Sequence, residues 1–320
     1  MKTNIKDCIY GMIQVSNLCK EFINTREFQR LRNIKQLGLV YFVFPSAVHT
    51  RFEHSLGVMH LSGVVIDNLK LHGTVISTRE KELIQLAGLL HDVGHIAFSH
   101  LFDYMLEENN IHILHEERSV IILRSINSRL NLLTENEVAI VSNMIHGIIP
   151  SNEYPTKYFM YEIINNKAFG LDVDRLDYLQ RDSYHTGISS FGSEYLISCM
   201  RVKDGRLAVL HRAKSEIEML YYARRRLLIN VCRHKSVFAI EDIIRLCINN
   251  IGYIKDWDNC DWTKLDDIEV LYKIRTEYPE LYEIIETRKW ERVEYKNILE
   301  HISNISNDSI DINISSINWV

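Results

Sequence analysis

The chain has 320 residues, of which 46% are hydrophobic and 25% charged, values typical of a globular protein rather than a disordered one. Its net charge of −5 excludes a general attraction to nucleic acid or anionic membranes, so any site for a polyanion has to be a local basic patch. Only 4 prolines and 13 glycines argue against an all-β fold with many turns.

The cysteines and the N-terminal residues predict the cellular compartment. Six cysteines are scattered along the chain without a C-x-x-C pair, and residues 1–9 contain no apolar signal segment. No apolar run approaches the roughly 18 residues that a membrane-spanning helix needs. We therefore expect free thiols in a soluble intracellular protein, cytoplasmic or nuclear, that is neither secreted nor attached to a membrane.

In chain order, most of the sequence is predicted to be helical. A short amphipathic piece over residues 28–37 precedes an extended apolar stretch over 39–45 and a helix from 54 to about 71. The capping-box pattern Ser77-Thr78-Arg79-Glu80 opens a helix over 81–91, which Gly94 can end. Further helices are expected over 115–130, 135–145, 173–184 and 216–247, and the turn signal Lys203-Asp204-Gly205-Arg206 predicts one small hairpin.

Four residues in local motifs form a candidate metal site. They are His54 in Arg51-Phe-Glu-His54, the adjacent pair His91-Asp92, and Asp174 in Asp172-Val-Asp174-Arg175. Two imidazoles and two carboxylates suit a divalent ion such as iron, manganese, magnesium or zinc. Such a set would leave coordination positions open for a phosphate oxygen and a water.

The segment around His91 concentrates titratable groups. A lone His-Asp dipeptide is more often structural, but residues 90–103 also contain His95, His100 and Asp103 beside an apolar helix face. Burying each of these groups costs free energy unless it is paired or bound to a metal. We therefore favour a functional interpretation of this segment.

Two further patterns predict side chains that share a site with these histidines. Arg51 lies one helical turn before His54 and suits a bidentate grip on phosphate, although pairing with Glu53 at the surface is an alternative. Asp174, Tyr178 and Asp182 recur every four residues and are expected to face one cleft, with Asp177 and Arg181 paired outside it. The basic runs 224–226 and 233–235 are equally compatible with a solvated surface and with a patch for triphosphate or nucleic acid.

Taken in order, these motifs resemble the HD-domain phosphohydrolases, and more specifically the deoxynucleoside triphosphate triphosphohydrolases whose vertebrate members join a sterile-alpha-motif domain to an HD domain. The resemblance runs from about residue 5 to 292. Its motifs include Phe28-Gln29-Arg30-Leu31-Arg32, Val43-Phe44-Pro45, Arg51-Phe52-Glu53-His54-Ser55-Leu56-Gly57, Ala87-Gly88-Leu89-Leu90-His91-Asp92, Phe98-Ser99-His100, His115-Glu116 and Asp172-Val173-Asp174-Arg175. No sterile-alpha-motif domain is expected before Met1.

The resemblance implies a mainly α fold: an HD-domain helical core with a small β-hairpin and a truncated C-terminal lobe. We place the catalytic core over residues 1–250 and a short helical lobe with a tail over 251–320. The tail, rich in Ser, Asn, Asp and Ile from residue 302, is expected to be frayed or to add an edge strand.

The resemblance also implies the chemistry of the site: hydrolysis of a dNTP to deoxynucleoside and tripolyphosphate. One divalent ion (iron, manganese, zinc or magnesium) would be held by His54, His91, Asp92 and Asp174, and additional magnesium would accompany the triphosphate. The α-phosphate would be surrounded by His95, His100, Asp103 and His115. The triphosphate and sugar would be bound by Gln36, Leu37, Arg51, Arg175, Tyr178, Asp182 and Arg224.

A regulatory site for GTP or a dNTP activator is implied as well. Its residues would be Asn24, Gln29, Arg32, Arg212, Lys214, Lys235, Arg288 and Arg292. Three positions depart from the family pattern, which has lysine at Arg175, tyrosine at Cys232 and aspartate at Asn24. The last change weakens recognition of guanine, because asparagine lacks two carboxylate acceptors. With a short C-terminal lobe, a homodimer or looser oligomer is expected.

Two other interpretations remain open at this stage. The same metal site could act on a nucleoside monophosphate, a cyclic nucleotide or a signalling nucleotide. Alternatively, the chain could bind nucleotides or single-stranded nucleic acid through an inactive site, although retention of all four metal positions argues against that interpretation.

Overall fold

The computed structural model describes residues 3–188 and 192–292, the last two by their backbone alone. Helices dominate these residues, which confirms the predicted mainly α class. They are α1 (Asn17–Ile23), α2 (Arg26–Gln29), α3 (Arg51–Leu71), α4 (Thr78–Leu90), α5 (His100–Glu108), α6 (His115–Leu130), α7 (Glu135–His146), α8 (Phe159–Glu162), α9 (Val173–Thr186), α10 (Glu194–Ser198), α11 (Lys214–Leu227), α12 (Lys235–Ile251), α13 (Asp267–Glu277) and α14 (Pro279–Glu286).

Two antiparallel hairpins accompany the helices. Strands β3 (Met200–Lys203) and β4 (Arg206–Val209) form the hairpin that the turn signal predicts. Strands β1 (Thr3–Asp7) and β2 (Gly11–Val15) form a second hairpin that the sequence did not predict. Its turn is held by Asp7, whose Oδ1 accepts hydrogen bonds from the backbone N–H groups of Ile9 and Tyr10 at 2.8 and 2.9 Å.

Helix α3 lies at the centre of the fold and is buried on nearly all sides. It packs against α4 on one side and α9 on another. The approach of α9 depends on Gly57, because a Cβ at that position would lie 1.8 Å from the Asp177 carboxylate. Close packing of these two helices brings His54, on α3, next to Asp174, on α9.

Helix α4 delivers the His91-Asp92 pair. Its predicted capping box is confirmed: Ser77 Oγ accepts from the Glu80 amide at 3.2 Å, and the Glu80 carboxylate accepts from the Ser77 amide at 2.7 Å. Since α4 ends at Leu90, His91 and Asp92 follow directly on a buried, rigid segment.

The segment after α4 then runs against α6. A Cβ at Gly94 would lie 2.3 Å from the His115 carbonyl oxygen, so glycine permits this contact. The loop and the start of α6 therefore come together at the site.

A second cluster of buried hydrophobic residues joins α5 to the C-terminal helices. It contains side chains of α5, α12, α13 and α14 together with Trp290. The stretch predicted to be extended over 39–45 is instead a 3-10 turn over Gly38–Phe42, and Leu39 packs into this second cluster. The predicted tail from residue 302 lies outside the described residues.

Among the residues that the structure describes, no helix combines the length and apolar character required to span a bilayer.

Candidate active site

The four predicted metal ligands converge at the centre of the fold. His54 Nε2 lies 3.2 Å from His91 Nε2 and 3.1 Å from Asp174 Oδ1, and His91 Nε2 lies 3.5 Å from the same oxygen. Asp92 presents Oδ2 at 3.5 Å from His54 Nε2 and Oδ1 at 3.4 Å from His91 Nε2. The structure thus brings together two imidazole nitrogens and two carboxylates from α3, α9 and the end of α4.

These distances suit a bound cation. Around an ion with ligands at about 2.1 Å, neighbouring ligand atoms lie about 3.0 Å apart in an octahedral arrangement and about 3.4 Å apart in a tetrahedral one. His54, His91 and Asp174 form a group whose ligand atoms could hold one ion. Asp92 contacts that group and also belongs to a neighbouring one with His95 and His115. The donor set and its spacing therefore fit a divalent metal, whose identity stays open.

The raised pKa values of His54 and His91 also indicate a site suited to a cation. Burial would lower the pKa of His54, yet hydrogen bonds to Asp174 and Asp177 raise that pKa to about 10. The pKa of His91 is also raised, because Asp92 and Asp174 outweigh its burial. An imidazole holds its proton this tightly only in a strongly negative environment, and a cation is stabilised by the same field.

Asp177 supports the ligand set from behind. Its Oδ2 lies 2.7 Å from His54 Nδ1, so this carboxylate can fix the tautomer that leaves Nε2 free to bind a metal. Arg181 donates to both carboxylate oxygens of Asp177, at 2.9 and 3.0 Å, and to Asp7 at 2.9 Å. Asp177 and Arg181 pair with each other as predicted, and neither lines the cavity; the pair is fully buried behind His54.

Arg51 is a buried part of the site and does not pair with Glu53 at the surface. Its guanidinium donates to Asp92, and its Nε donates to Ser99 Oγ at 2.8 Å. Glu53 instead accepts from the Thr50 amide in the capping box of α3. Arg51 therefore links the candidate metal site to the loop before α5.

Three histidines form a second cluster beside the first. The rings of His95 and His115 stack with centroids 4.1 Å apart, and His100 lies 5.3 Å from His95. Burial lowers the pKa of all three, and Arg51 adds to the effect at His95 and His100. They are therefore neutral at neutral pH, and each can donate one N–H.

Asp103 was predicted to surround the α-phosphate together with these histidines, but unlike them it lies outside the lining of the cavity described below. It forms an ion pair with the buried Arg118, and its Oδ2 lies 3.7 Å from His95 Nδ1 and 3.9 Å from His115 Nδ1. Its position favours orienting the histidine rings over direct contact with a ligand.

Helix α9 presents the predicted row of side chains to one side. Asp174, Tyr178 and Asp182 all line the same cavity. Asp182 is held by His49, whose Nε2 lies 2.7 Å from Asp182 Oδ1. His49 is a contact that the sequence did not reveal, although it precedes the Arg51 motif by only two residues.

The site opens into a cavity of about 650 Å³, within the usual range for small-molecule pockets. Most of the predicted ligand, catalytic and substrate residues line it, whereas His54 lies behind its wall. The lining includes Gln36, Leu37, Arg51, His91, Asp92, His95, His100, His115, Asp174, Arg175, Tyr178, Asp182 and Arg224.

The cavity also bears on whether the basic runs 224–226 and 233–235 are solvated surface or part of a binding site. Arg224, Arg225 and Arg233 line it, so these runs are not merely a solvated surface. Arg175 lies at the wall too, where Asp172 neutralises it. Glu116, which belongs to the His115-Glu116 motif but was given no role, and Glu241, which no sequence motif includes, also line the cavity.

The predicted regulatory residues occupy several places. Gln29 and Arg32 hydrogen-bond at 2.8 Å, and Arg32 lies 3.5 Å above the Phe52 ring. Asn24 ends α1 nearby in sequence, and Arg288 donates to the Phe42 carbonyl and lies over Trp290. Exposed positions are occupied by Arg212, Lys214 and Lys235. The Arg292 side chain lies outside the described residues, so a nucleotide site here stays a prediction.

Comparison with known proteins places this site in a family. Residues 51–182 match the HD domain family model. The chain is 36% identical over 247 residues to the deoxynucleoside triphosphate triphosphohydrolase SAMHD1 homolog of Dictyostelium discoideum, covering 75% of this chain and 48% of that protein. It is 33% identical over 348 aligned positions to deoxynucleoside triphosphate triphosphohydrolase SAMHD1 of Homo sapiens, covering 93% and 54%.

A viral relative shows similar identity. The chain is 37% identical over 253 residues to a putative HD domain-containing protein of Acanthamoeba polyphaga mimivirus, covering 72% of this chain and 52% of that protein. The chain thus spans about half the length of the curated relatives it matches. Its residues 51–182 match the HD domain, and over most of its length the chain is similar to the deoxynucleoside triphosphate triphosphohydrolases.

Proposed function

We propose that this protein hydrolyses deoxynucleoside triphosphates to deoxynucleoside and inorganic tripolyphosphate, by attack of water on the α-phosphorus. The proposal rests on one observation: a single cavity is lined by three groups of residues. It combines the candidate metal ligands with the guanidinium groups of Arg51, Arg175 and Arg224 and with polar side chains suited to a sugar. Similarity to the deoxynucleoside triphosphate triphosphohydrolases of Dictyostelium discoideum and Homo sapiens supports the same reaction.

The candidate metal site fits a role at the α-phosphate. His54, His91, Asp92 and Asp174 would hold a divalent ion, which would supply Lewis-acid stabilisation of negative charge on the phosphate oxygens. Arg51 lies at the edge of this site, where its guanidinium, oriented by Asp92 and Ser99, can donate to a phosphate oxygen. Arg175 and Arg224 would bind the remaining phosphates of the chain.

Proton transfer to the leaving 5′-oxygen is assigned to a histidine, His100 before His115. His100 lies on the cavity wall and is exposed to its interior. Its lowered pKa describes the ligand-free protein, and the negative charge of a bound triphosphate would raise that pKa again. The shift would favour a protonated imidazole at the stage where the 5′-oxygen leaves.

The sugar is assigned to Gln36 and Asp182. Gln36 is buried, and among the described residues its Oε1 has no hydrogen-bond partner. An unpaired buried acceptor costs about 1–3 kcal/mol, so a ligand hydroxyl that donates to it would recover that cost. Gln36 and the Asp182 carboxylate line the same cavity and would bind the 3′-hydroxyl together.

Product analysis tests the proposal directly. The wild-type protein would be incubated with each dNTP and NTP, with Mn²⁺, Mg²⁺ or Fe²⁺, and with or without GTP. We expect deoxynucleoside and tripolyphosphate in equal amounts, separated by chromatography. Release of pyrophosphate or orthophosphate would assign the site to another phosphohydrolase reaction, and a blank panel with retained single-stranded nucleic acid would favour a binding protein.

Selectivity for the sugar is expected to depend on Cys232. This residue lines the cavity, and burial raises the pKa of its thiol to about 12, so it acts as a small neutral side chain. Cys232→Tyr would fill space near a 2′-hydroxyl and should raise the ratio of kcat/KM for dNTP over NTP by about tenfold or more. Steady-state kinetics with matched dATP and ATP measures the ratio.

Cys8→Tyr provides the control for that substitution. Cys8 is exposed in the turn between β1 and β2 and does not line the cavity, so this variant makes the same replacement outside the cavity. An unchanged ratio in Cys232→Tyr would place the sugar elsewhere in the cavity.

A further inference from the structure

Asp267, the first residue of α13, forms hydrogen bonds with two loops that adjoin the cavity. Asp267 is buried, with an exposed fraction of 4%. Its Oδ2 accepts a hydrogen bond from the Lys35 amide at 2.8 Å, and its Oδ1 accepts one from the Phe98 amide at 2.7 Å. One carboxylate therefore ties together two segments that are 63 residues apart in the sequence (98 − 35 = 63).

Both tied amides adjoin residues of the cavity. Lys35 precedes Gln36 and Leu37, and Phe98 lies between His95 and His100. The backbone at Phe98 and Ser99 has φ values of 57° and 56°, which side-chain-bearing residues seldom adopt without external restraint. The Asp267 hydrogen bond supplies such a restraint at the point of strain.

A chain of hydrogen bonds continues from the tied loops to the candidate metal site. Ser99 Oγ donates to the Lys35 carbonyl at 2.8 Å and accepts from Arg51 Nε at 2.8 Å. Arg51 in turn donates to Asp92. The phosphate-binding guanidinium is therefore oriented by the same two loops that Asp267 holds.

The neighbouring backbone makes a parallel connection. Arg30 donates to the Leu265 carbonyl at 3.1 Å and to the Val93 and His95 carbonyls at 2.9 and 2.7 Å. Residues 265–267 thus connect to the loop after α4 twice, directly at Phe98 and through Arg30 at Val93 and His95. This segment lies outside the matched HD domain, which ends at residue 182.

We propose that Asp267 is a positioning residue, which fixes the sugar-binding turn at Gln36 and the histidine loop at His95–His100 in catalytic register. The inference rests on the proposed function for its kinetic consequences, while the hydrogen bonds can be tested without it. Asp267 does not line the cavity, and its hydrogen bonds go to the Lys35 and Phe98 amides, so its effect is on alignment. A shift of about 1 Å in such an alignment can cost about a hundredfold in rate.

Asp267→Asn separates positioning from simple packing. The asparagine side chain has nearly the same shape as aspartate, but its NH₂ group replaces one carboxylate oxygen. A donor then faces one of the two backbone N–H groups. One loop is therefore released while the core volume stays the same. We expect kcat to fall by about ten- to a hundredfold, with KM changed by less than about threefold and metal content unchanged.

Asp266→Asn is the matched control. Asp266 is the N-cap of the same helix, and its carboxylate accepts from Glu269 N at 3.0 Å and from Asn33 Nδ2 at 2.8 Å, not from either active-site loop. Asparagine is an equally good N-cap, so this variant makes the same Asp-to-Asn replacement one residue away from Asp267 and should keep the wild-type kcat.

Hydrogen exchange gives a readout independent of activity. In Asp267→Asn, exchange should accelerate at the amides of Lys35 or Phe98, while the amides of α3 keep their protection. Asp267→Glu is a second variant, which keeps the charge and both acceptors if the amide variant does not fold. Its extra methylene should displace the loops and lower kcat as well.

The outcomes discriminate clearly. Wild-type kcat in a folded Asp267 variant, or unchanged exchange at both amides, would overturn the proposal. An equal loss in Asp266→Asn would also overturn it, because it would assign the effect to charge at the helix N-terminus. A wild-type protein without triphosphohydrolase activity would refute the proposed function, and the exchange experiment would still test the two hydrogen bonds.

Discussion

Replacing His91 and Asp92 together by alanine is expected to lower deoxynucleoside release by roughly a thousandfold or more and to remove the bound divalent metal. The substitution deletes one of the two imidazole nitrogens and one of the two carboxylates that converge within 3.1–3.5 Å. It also removes the carboxylate that orients Arg51. Metal content by mass spectrometry and initial rates on a dNTP measure the two effects.

The single variant His91→Ala tests whether the double variant loses metal because the ligands are gone or because the protein unfolds. Asp92 and Arg51 form a buried ion pair, and removing one partner of such a pair costs about 3–5 kcal/mol of stability. His91→Ala keeps that pair, so its metal loss reports on the ligand set alone. Full activity or full metal content in a folded variant would refute the assignment.

The control changes the same residue types elsewhere. Asp67→Ala/His72→Ala alters an aspartate and a histidine on the exposed side of α3 and its C-cap, far from the cavity lining. We expect this double variant to retain both metal and rate.

Much of the helical framework was predictable because its signals are local. The Ser77–Glu80 capping box and the apolar face of the following helix fix where α4 starts, and hence where His91 and Asp92 emerge. The N-terminal hairpin carried no comparable signal, since its turn contains neither Asn-Gly nor Asp-Gly. The turn is stabilised instead by the Asp7 side chain, which accepts hydrogen bonds from the amides of Ile9 and Tyr10. The sequence pattern does not predict this arrangement.

The site divides in the same way between local and long-range information. Helical period places Asp174, Tyr178 and Asp182 on one side of α9, and the structure has all three on the cavity wall. The partners that orient site residues come from distant segments: Asp177 on His54, His49 on Asp182 and Asp267 on the two loops. Such contacts follow from tertiary packing, as at Gly57, and periodicity within one element cannot reveal them.

Asp177→Asn is expected to weaken metal binding by about ten- to a hundredfold and to lower turnover accordingly. The Asp177 carboxylate can accept a hydrogen bond from His54 Nδ1–H, which favours the neutral tautomer whose Nε2 has a lone pair for a metal. An amide can turn its NH₂ group to His54 and stabilise the opposite tautomer, in which Nε2 carries the proton and cannot bind a metal. Titration of the metal-free protein with Mn²⁺ measures the affinity.

Asp7→Asn separates this effect from the loss of an ion pair. Asp7 and Asp177 both accept from Arg181, at 2.9 Å in each case, but only Asp177 contacts His54. Both variants deprive the buried guanidinium of one carboxylate, so both test the loss of an ion pair with Arg181. If His54 is the target, metal affinity falls in Asp177→Asn and stays near the wild-type value in Asp7→Asn. Equal losses in the two variants would show that the metal site depends on Arg181 and the fold around it, and the tautomer argument would then be wrong.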